Sequence, residues 1–384
     1  MSAPKTHIHI PTPGSLVSPA SGSALVTVAR ALGAAHIASG GDAAFVARAG
    51  MAHDPRPLDL VEAPLRHRVW RNRTEKAADV LCGSLIDRWP AMDRLWRPVL
   101  DALPQQDSAT VFLHNAPAAA AGLRRRRPDL VGVVHLHNEV FRGWPRYRRR
   151  DLVRSTPVVA CSRFIADRAF PGAAARGRIL PLVNGADTEK FRPAAHEVEP
   201  TVLFVGRVTP HKGPDLLVEA ARLLFAEGLR FRLRIVGGAG LLAQPGLTEF
   251  EQHLRTRAGP LGELAEFVPF VGRDRIASVY AAATVMVVPS TWDEPCSLTM
   301  GEGLAAGLAC VASRRGGLPE AGGDAPLYFD PPDVAALAAC LRRLLTDDDE
   351  RAARAEAARA RAEQISWDRQ LAHLIEWLGQ WEAE

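Results

Sequence analysis

The stretch VMVVPSTWDEPCSLTMGEGLAAG, residues 285–307, changes character twice. Val285 to Val288 is an unbroken apolar run, which reads as a buried strand. Pro289 to Cys296 reads as a loop, and a helix is expected to start near Ser297. A short apolar strand running straight into a helix is the building unit of a parallel sheet covered on both faces. The first-turn amides of such a helix have no intrahelical partner and carry the positive end of its dipole, which suits a phosphate.

The same pattern recurs along the chain. Thr6 to Ile10 alternates polar and apolar residues and reads as a first strand. A Pro/Gly/Ser-rich loop follows from Pro11 to Ser21, then a helix from about Gly22 to Leu32 that stops at Gly33. Strands are expected at Thr110–His114, Val131–Leu136 and Pro157–Cys161, with a helix over 117–126. Residues 52–105 carry no clear pattern. A second series begins near Thr201: strands at 202–205, 231–236, 285–290 and 308–312, and helices from Pro214 to Gly228, over 333–345 and over 347–364. The last segment, Ser366 to Trp381, is amphipathic. The fold class is α/β, with two doubly wound units joined near 184–200 and ligands in the cleft at strand C-termini.

The chain's 384 residues suit two or three domains. Its 47% hydrophobic and 23% charged residues argue against disorder or a fibre. No apolar run approaches the roughly 20 residues of a membrane-spanning helix. Residues 1–10 lack the apolar core of a secretory signal. The five cysteines form no Cys-x-x-Cys pair, so a zinc site or disulfide framework is not expected and a reducing cytoplasm is. Charge divides unevenly. Residues 1–193 hold 28 Lys+Arg and 16 Asp+Glu, while 194–384 hold 19 and 27. Two arginine runs, 124–127 and Arg146 with 148–150, concentrate the excess. An anionic acceptor or membrane surface is the expected partner of the first half. Nucleic acid is not.

Four constellations could carry chemistry. Glu294 and Glu302, eight positions apart across the loop-to-helix junction, can face one ligand, and a carboxylate accepts two sugar hydroxyls at once. The plainer alternative is a helix cap and a solvated helix face. The loop Gly206 to Gly213 joins a strand to a helix and carries Arg207 and Lys212, a natural diphosphate clamp. His135, Leu136, His137 and Asn138 end a strand, where a histidine could orient a substrate hydroxyl. A metal there lacks a third evident ligand. Gly14 to Ser23 is a small-residue loop suited to close approach of a phosphate.

Taken in order, these segments resemble the retaining family-4 glycosyltransferases of the GT-B fold, the glycosyl transferases group 1. Leu180 to Asp187 with Phe191-Arg192-Pro193 is similar to that family's linker. Phe204 to Arg207 with His211-Lys212-Gly213 resembles its "VGRL…KG" loop. Glu294 and Glu302 fit its Glu-x7-Glu motif, and Gly316 to Glu320 its "GG.PE". The resemblance implies two Rossmann-like domains facing across a cleft. They would be an acceptor domain over 1–190 and a nucleotide-sugar domain over 191–365, with a helix over 366–384 crossing back to the first. It implies that Arg207 and Lys212 hold the donor diphosphate and Glu302 the ribose. Glu294 and the amides of Cys296, Ser297 and Leu298 would grip sugar and phosphate, with Arg273, Gly22 and Ser23 also at the donor. His137 would contact the sugar at the reacting face, and Asn138, Arg146 and Arg148 the acceptor. No metal or cofactor is implied beyond the substrate, a nucleotide diphosphate sugar expected to be UDP- or GDP-linked. The reaction would be metal-independent hexosyl transfer with retention to a glycan, glycolipid or other surface-polysaccharide hydroxyl such as lipopolysaccharide. It would take place in the cytoplasm or on the inner face of the cytoplasmic membrane. A non-catalytic sugar-nucleotide-binding partner in a glycan-assembly complex is the alternative. Two departures from the family stand out: Pro295 has no N–H to offer, and Ser297 stands where relatives have glycine.

Overall fold

The computed structural model describes residues 6–12, 15–18, 21–63, 74, 90–105, 109–141, 144–172, 177–194, 199–242 and 246–383. The described chain gathers into two compact units. The first comprises β1 (Thr6–Ile10), β2 (Ala43–Arg48), β3 (Asp59–Ala63), β4 (Ala109–His114), β5 (Val131–Leu136), β6 (Val158–Ala160) and β7 (Ile179–Pro181). Helices Ala24–Ala38, Pro90–Asp101, Pro117–Arg126, Arg146–Ser155 and Arg163–Ala169 alternate with them. The strands form one parallel sheet in the order β3-β2-β1-β4-β5-β6-β7. Its centre is dry: Ile8, Val111, Phe112, Val133 and Val159 have no exposed surface.

The second unit repeats the plan. β8 (Thr201–Val205), β9 (Arg232–Val236), β10 (Ala265–Val268), β11 (Val285–Val288), β12 (Ala309–Ser313) and β13 (Leu327–Phe329) pair in parallel in the order β10-β9-β8-β11-β12-β13. Both sheets therefore reverse direction between their first and fourth strands. Loops leaving such a reversal at the strand C-termini splay apart and leave a crevice for ligand. Two helices, Val334–Thr346 and Asp348–Gln364, complete this unit. From Gln370 on, the terminal helix Trp367–Ala383 gathers with the first unit, where Leu374 and Leu378 pack with Phe112, Val133, Val159 and Leu180.

Two sequence expectations need correction. The first helix does not stop at Gly33 but continues to Ala38. Gly33 is there for packing: a Cβ at that position would meet a Leu58 methyl at 2.5 Å. The helix ends instead at Ser39, before Gly40 with φ +91°. The patternless stretch 52–105 contains strand β3 and the helix Pro90–Asp101. Strand β2 carries no polar alternation because all but its last residue is buried, so the period-2 signal is absent.

Candidate active site

The loop after β8 and the loop after β11 leave adjacent strands at the reversal point of the second sheet. The Thr291 amide donates to the His211 carbonyl at 3.0 Å, which ties the loops together. Glycine makes this approach possible. Gly213 has φ +69°, and a Cβ there would lie 2.0 Å from the Pro289 carbonyl oxygen. The Lys212 ammonium then donates to Glu294 Oε1 at 2.5 Å, with Ser290 Oγ donating to the same oxygen at 2.6 Å. Burial pushes the Glu294 carboxyl up, but Lys212 and the hydrogen bonds outweigh it and hold it below the usual range. Glu294 is thus a buried carboxylate at neutral pH. Lys212 also lies 5.5 Å from the Trp292 ring centroid, and Arg207 Nη2 sits 3.3 Å from His211 Nε2. Burial lowers the His211 pKa, as do the charges of Arg207 and Lys212.

Glycine also fixes Glu294 from the other side. Gly316 has φ +57°, and a Cβ there would lie 2.1 Å from the Glu294 carbonyl oxygen. The Gly317 amide donates to that carbonyl at 2.6 Å. Ser297 caps the helix Leu298–Ala305, its hydroxyl accepting from the Met300 amide at 3.2 Å. The Cys296 thiol accepts from the Asn184 amide at 3.3 Å, and burial pushes it up to about 12. It is a partly buried thiol with little thiolate at neutral pH.

Glu302 is 4% exposed. Arg273 Nη1 donates to its Oε1 at 2.5 Å and the Tyr280 hydroxyl to its Oε2 at 2.7 Å. Burial would lower Arg273, but the Glu302 charge holds it above its ordinary value. Burial, then the Glu302 charge, pushes Tyr280 well above its own. Lys190 Nζ donates to the Arg273 carbonyl at 2.5 Å. Each carboxylate oxygen retains acceptor capacity, and ammonium and guanidinium groups retain donors. The two pairs, Lys212–Glu294 and Arg273–Glu302, can therefore meet both the hydroxyls and the charge of an anionic sugar derivative. The plainer alternative fails at both: Ser297, not Glu294, caps the helix, and Glu302 is buried.

In the first unit, His137 follows β5 and is 8% exposed. Its amide donates to Asn115 Oδ1 at 2.7 Å, and Asn115, at φ +53°, donates its own amide to the His135 carbonyl at 2.8 Å. His137 Nε2 contacts His114 Nδ1 at 2.8 Å. His114, His135 and His137 offer nitrogens within 4.8 Å of one another, so the third histidine that the sequence does not reveal lies one strand away. Asn138 and Arg146 are exposed. Arg148 is buried and, with Arg124, Trp144 and Asp151, lines a groove between two helices. Part of the arginine excess is tied to the backbone: Arg149 donates to the Phe141, Trp144 and Ala169 carbonyls, and Arg127 to those of Leu103 and Pro104, while Arg124, Arg125, Arg126, Arg146 and Arg150 are exposed. Gly22 counts with the second unit, its amide donating to the Leu241 carbonyl at 2.8 Å. The Ser23 carbonyl accepts from the Thr27 amide and hydroxyl, both at 3.0 Å. Gly14 lies outside the described residues.

Sequence reasoning missed Tyr280, Ser290, Lys190, Asn115, His9 and His114. Only the histidines left a signal: His114 ends the apolar strand Ala109–His114, and His9 lies on the polar side of the alternating strand Thr6–Ile10, which the fold buries.

Residues 186–361 match the family model described as glycosyl transferases group 1. The D-inositol 3-phosphate glycosyltransferase of Streptomyces avermitilis is 33% identical over 238 residues, covering 55% of this chain and 50% of that relative. Spore coat protein SA of Bacillus subtilis is 25% identical over 292 residues, covering 69% and 76%. The chain spans about half the length of the inositol-phosphate enzymes that it matches. Among solved structures, sucrose-phosphate synthase from Thermosynechococcus elongatus superposes with a TM-score of 0.71 at 19% identity, covering 99% of this chain and 100% of that one. Anabaena HepE in complex with UDP and glucose gives 0.67 at 17%, covering 97% and 99%. The two parallel Rossmann-like sheets have the GT-B fold, and residues 186–361 of this chain are similar to the glycosyl transferases group 1.

Proposed function

We propose that the chain is a retaining glycosyltransferase that moves a hexose-type sugar from a nucleotide diphosphate sugar to a hydroxyl of a glycan or glycolipid. The observation that carries this reading is the pair of buried cation–carboxylate contacts, Lys212–Glu294 and Arg273–Glu302, at the reversal point of one parallel sheet. Arg207 and Lys212 hold the diphosphate. Glu302, held by Arg273 and Tyr280, accepts the ribose hydroxyls. Glu294 and the amides at 296–298 grip the sugar. In the reaction the bond from the anomeric carbon to the phosphate oxygen breaks and one to the acceptor oxygen forms on the same face. The acceptor proton passes to the leaving phosphate. Cations already in place offset the charge that develops on that phosphate, so the rate comes from positioning and electrostatics. His137 contributes a hydrogen bond to the sugar. The acceptor belongs with the basic first unit.

UDP is the expected nucleotide, a reading supported by the UDP complex of HepE. Thermal unfolding with UDP, GDP, ADP, dTDP and CDP tests the donor site. A ligand at 100 times its dissociation constant adds about 2.7 kcal/mol, so one nucleotide should raise the Tm by several degrees and fail to do so in Glu302→Gln. No shift with any of the five would sink the donor assignment. Binding without transfer from any UDP-sugar would favour the non-catalytic partner.

A further inference from the structure

Three strands of the first sheet each carry a buried histidine at or beside their C-terminal end. His9 on β1 and His114 on β4 have no exposed surface, and His137 follows β5 at 8%. His9 Nδ1 lies 3.0 Å from His114 Nε2, and His114 Nδ1 lies 2.8 Å from His137 Nε2. The rings stack as they go, with centroids 5.3 and 5.1 Å apart. Burial keeps all three far below their ordinary pKa, so each ring is neutral and carries one proton.

A neutral imidazole has one donor and one acceptor nitrogen. Both contacts join the Nδ1 of one ring to the Nε2 of the next, which allows only two arrangements. Either all three rings are protonated at Nδ1, or all three at Nε2. The far end decides between them. Among the described residues, His9 Nε2 is buried with no partner. If it carried the proton, a buried N–H would be orphaned. If it is bare, only an acceptor goes unmet, the less costly fault. We propose that His9 and His114 are positioning residues that lock His137 in its Nδ1–H form, so that it presents a hydrogen-bond donor to a sugar oxygen.

The tautomer follows from the histidine chain alone. Its use on a sugar rests on the proposed transferase reading. A cation held by His114, His135 and His137 is the competing use of this cluster. Because both His114 nitrogens are engaged, ligation there would break one link of the chain.

The test is NMR of the full-length protein, without nucleotide, labelled with 15N-histidine. His9→Phe, His114→Phe and His137→Phe assign the three rings by loss of their signals. The expected result is a protonated Nδ1 and a bare Nε2 in all three rings. Two nitrogen–nitrogen couplings across hydrogen bonds should link His9 to His114 and His114 to His137, and both should vanish in His114→Phe. Should that variant not fold, the wild-type pattern decides alone. Mixed tautomers, a shared Nε2–H form or absent couplings overturn the proposal. So does one equivalent of Zn2+ that shifts His114, His135 and His137 together. None of these readings depends on transfer activity, so a failed donor assignment and a failed tautomer lock are told apart.

Discussion

Lys212 and Glu294 lie 82 residues apart in sequence and meet at 2.5 Å, the lysine 21% and the carboxylate 4% exposed. An ion pair so buried is weak evidence for net stability, but breaking it from one side leaves a charge without a counterion. Lys212→Met should therefore cost about 3 kcal/mol, read from urea denaturation. The double variant Lys212→Met, Glu294→Gln should recover most of it. A double variant no more stable than Lys212→Met would mean that the pair is not coupled.

The two glycines that frame this pair admit no side chain. In Gly213→Ala the methyl must displace the Pro289 carbonyl, and in Gly316→Ala that of Glu294. The left-handed backbone alone disfavours alanine by about 1–2 kcal/mol. Each variant should lose at least that much stability, together with any nucleotide-induced rise in Tm. Gly228→Ala is the control, because at φ +93° it has nothing within 4 Å of its Cβ. A loss there as large as at Gly213 would show that backbone strain, not collision, is the cause.

Burial pushes the Cys296 and Cys310 thiols up to about 12. Neither should be alkylated by iodoacetamide in the native protein at pH 8, and both should react in guanidinium chloride. Mass spectrometry of the peptides after timed labelling gives the answer. Rapid native labelling of Cys296 would contradict its packing against Asn184.

The first unit should be acid-sensitive. His7 and His135 are lowered to about 3 by burial, with His36 adding to the effect at His7. His9, His114 and His137 are also lowered, burial being the largest cause. Between the ordinary value of 6.5 and about 3, the unfolded chain binds protons at His7 and His135 that the folded chain does not. Stability therefore falls as pH drops through that window, by up to about 1.4 kcal/mol per pH unit for each histidine. His135→Phe should flatten the slope in denaturation curves taken from pH 7 to 5. An unchanged slope would show that His135 is charged in the folded state.

Much of the architecture is legible in local sequence. Strand Val131–Leu136 and helix Pro117–Arg126 fall where apolar runs and proline place them, since periodicity reports burial directly. Strand Ala43–Arg48 is not legible, because three of its six residues are alanine, which carries little of the β-branched or aromatic signal that marks a buried strand. Gly33 reads as a helix stop because composition cannot distinguish a glycine that ends a helix from one that admits Leu58.

Local sequence is enough to place Glu294 and Glu302 on either side of a helix start and Arg207 and Lys212 in one loop. Those are distances within one strand–loop–helix unit, set by backbone geometry. Tertiary structure alone decided the partners: Lys212 with Glu294, Tyr280 and Arg273 with Glu302, His114 between His9 and His137. In a parallel sheet each strand's neighbour is separated from it by a crossover, and the order depends on how all the apolar faces are buried at once. No local pattern encodes that choice, so the residues of one loop can be read from sequence while the contacts between loops cannot.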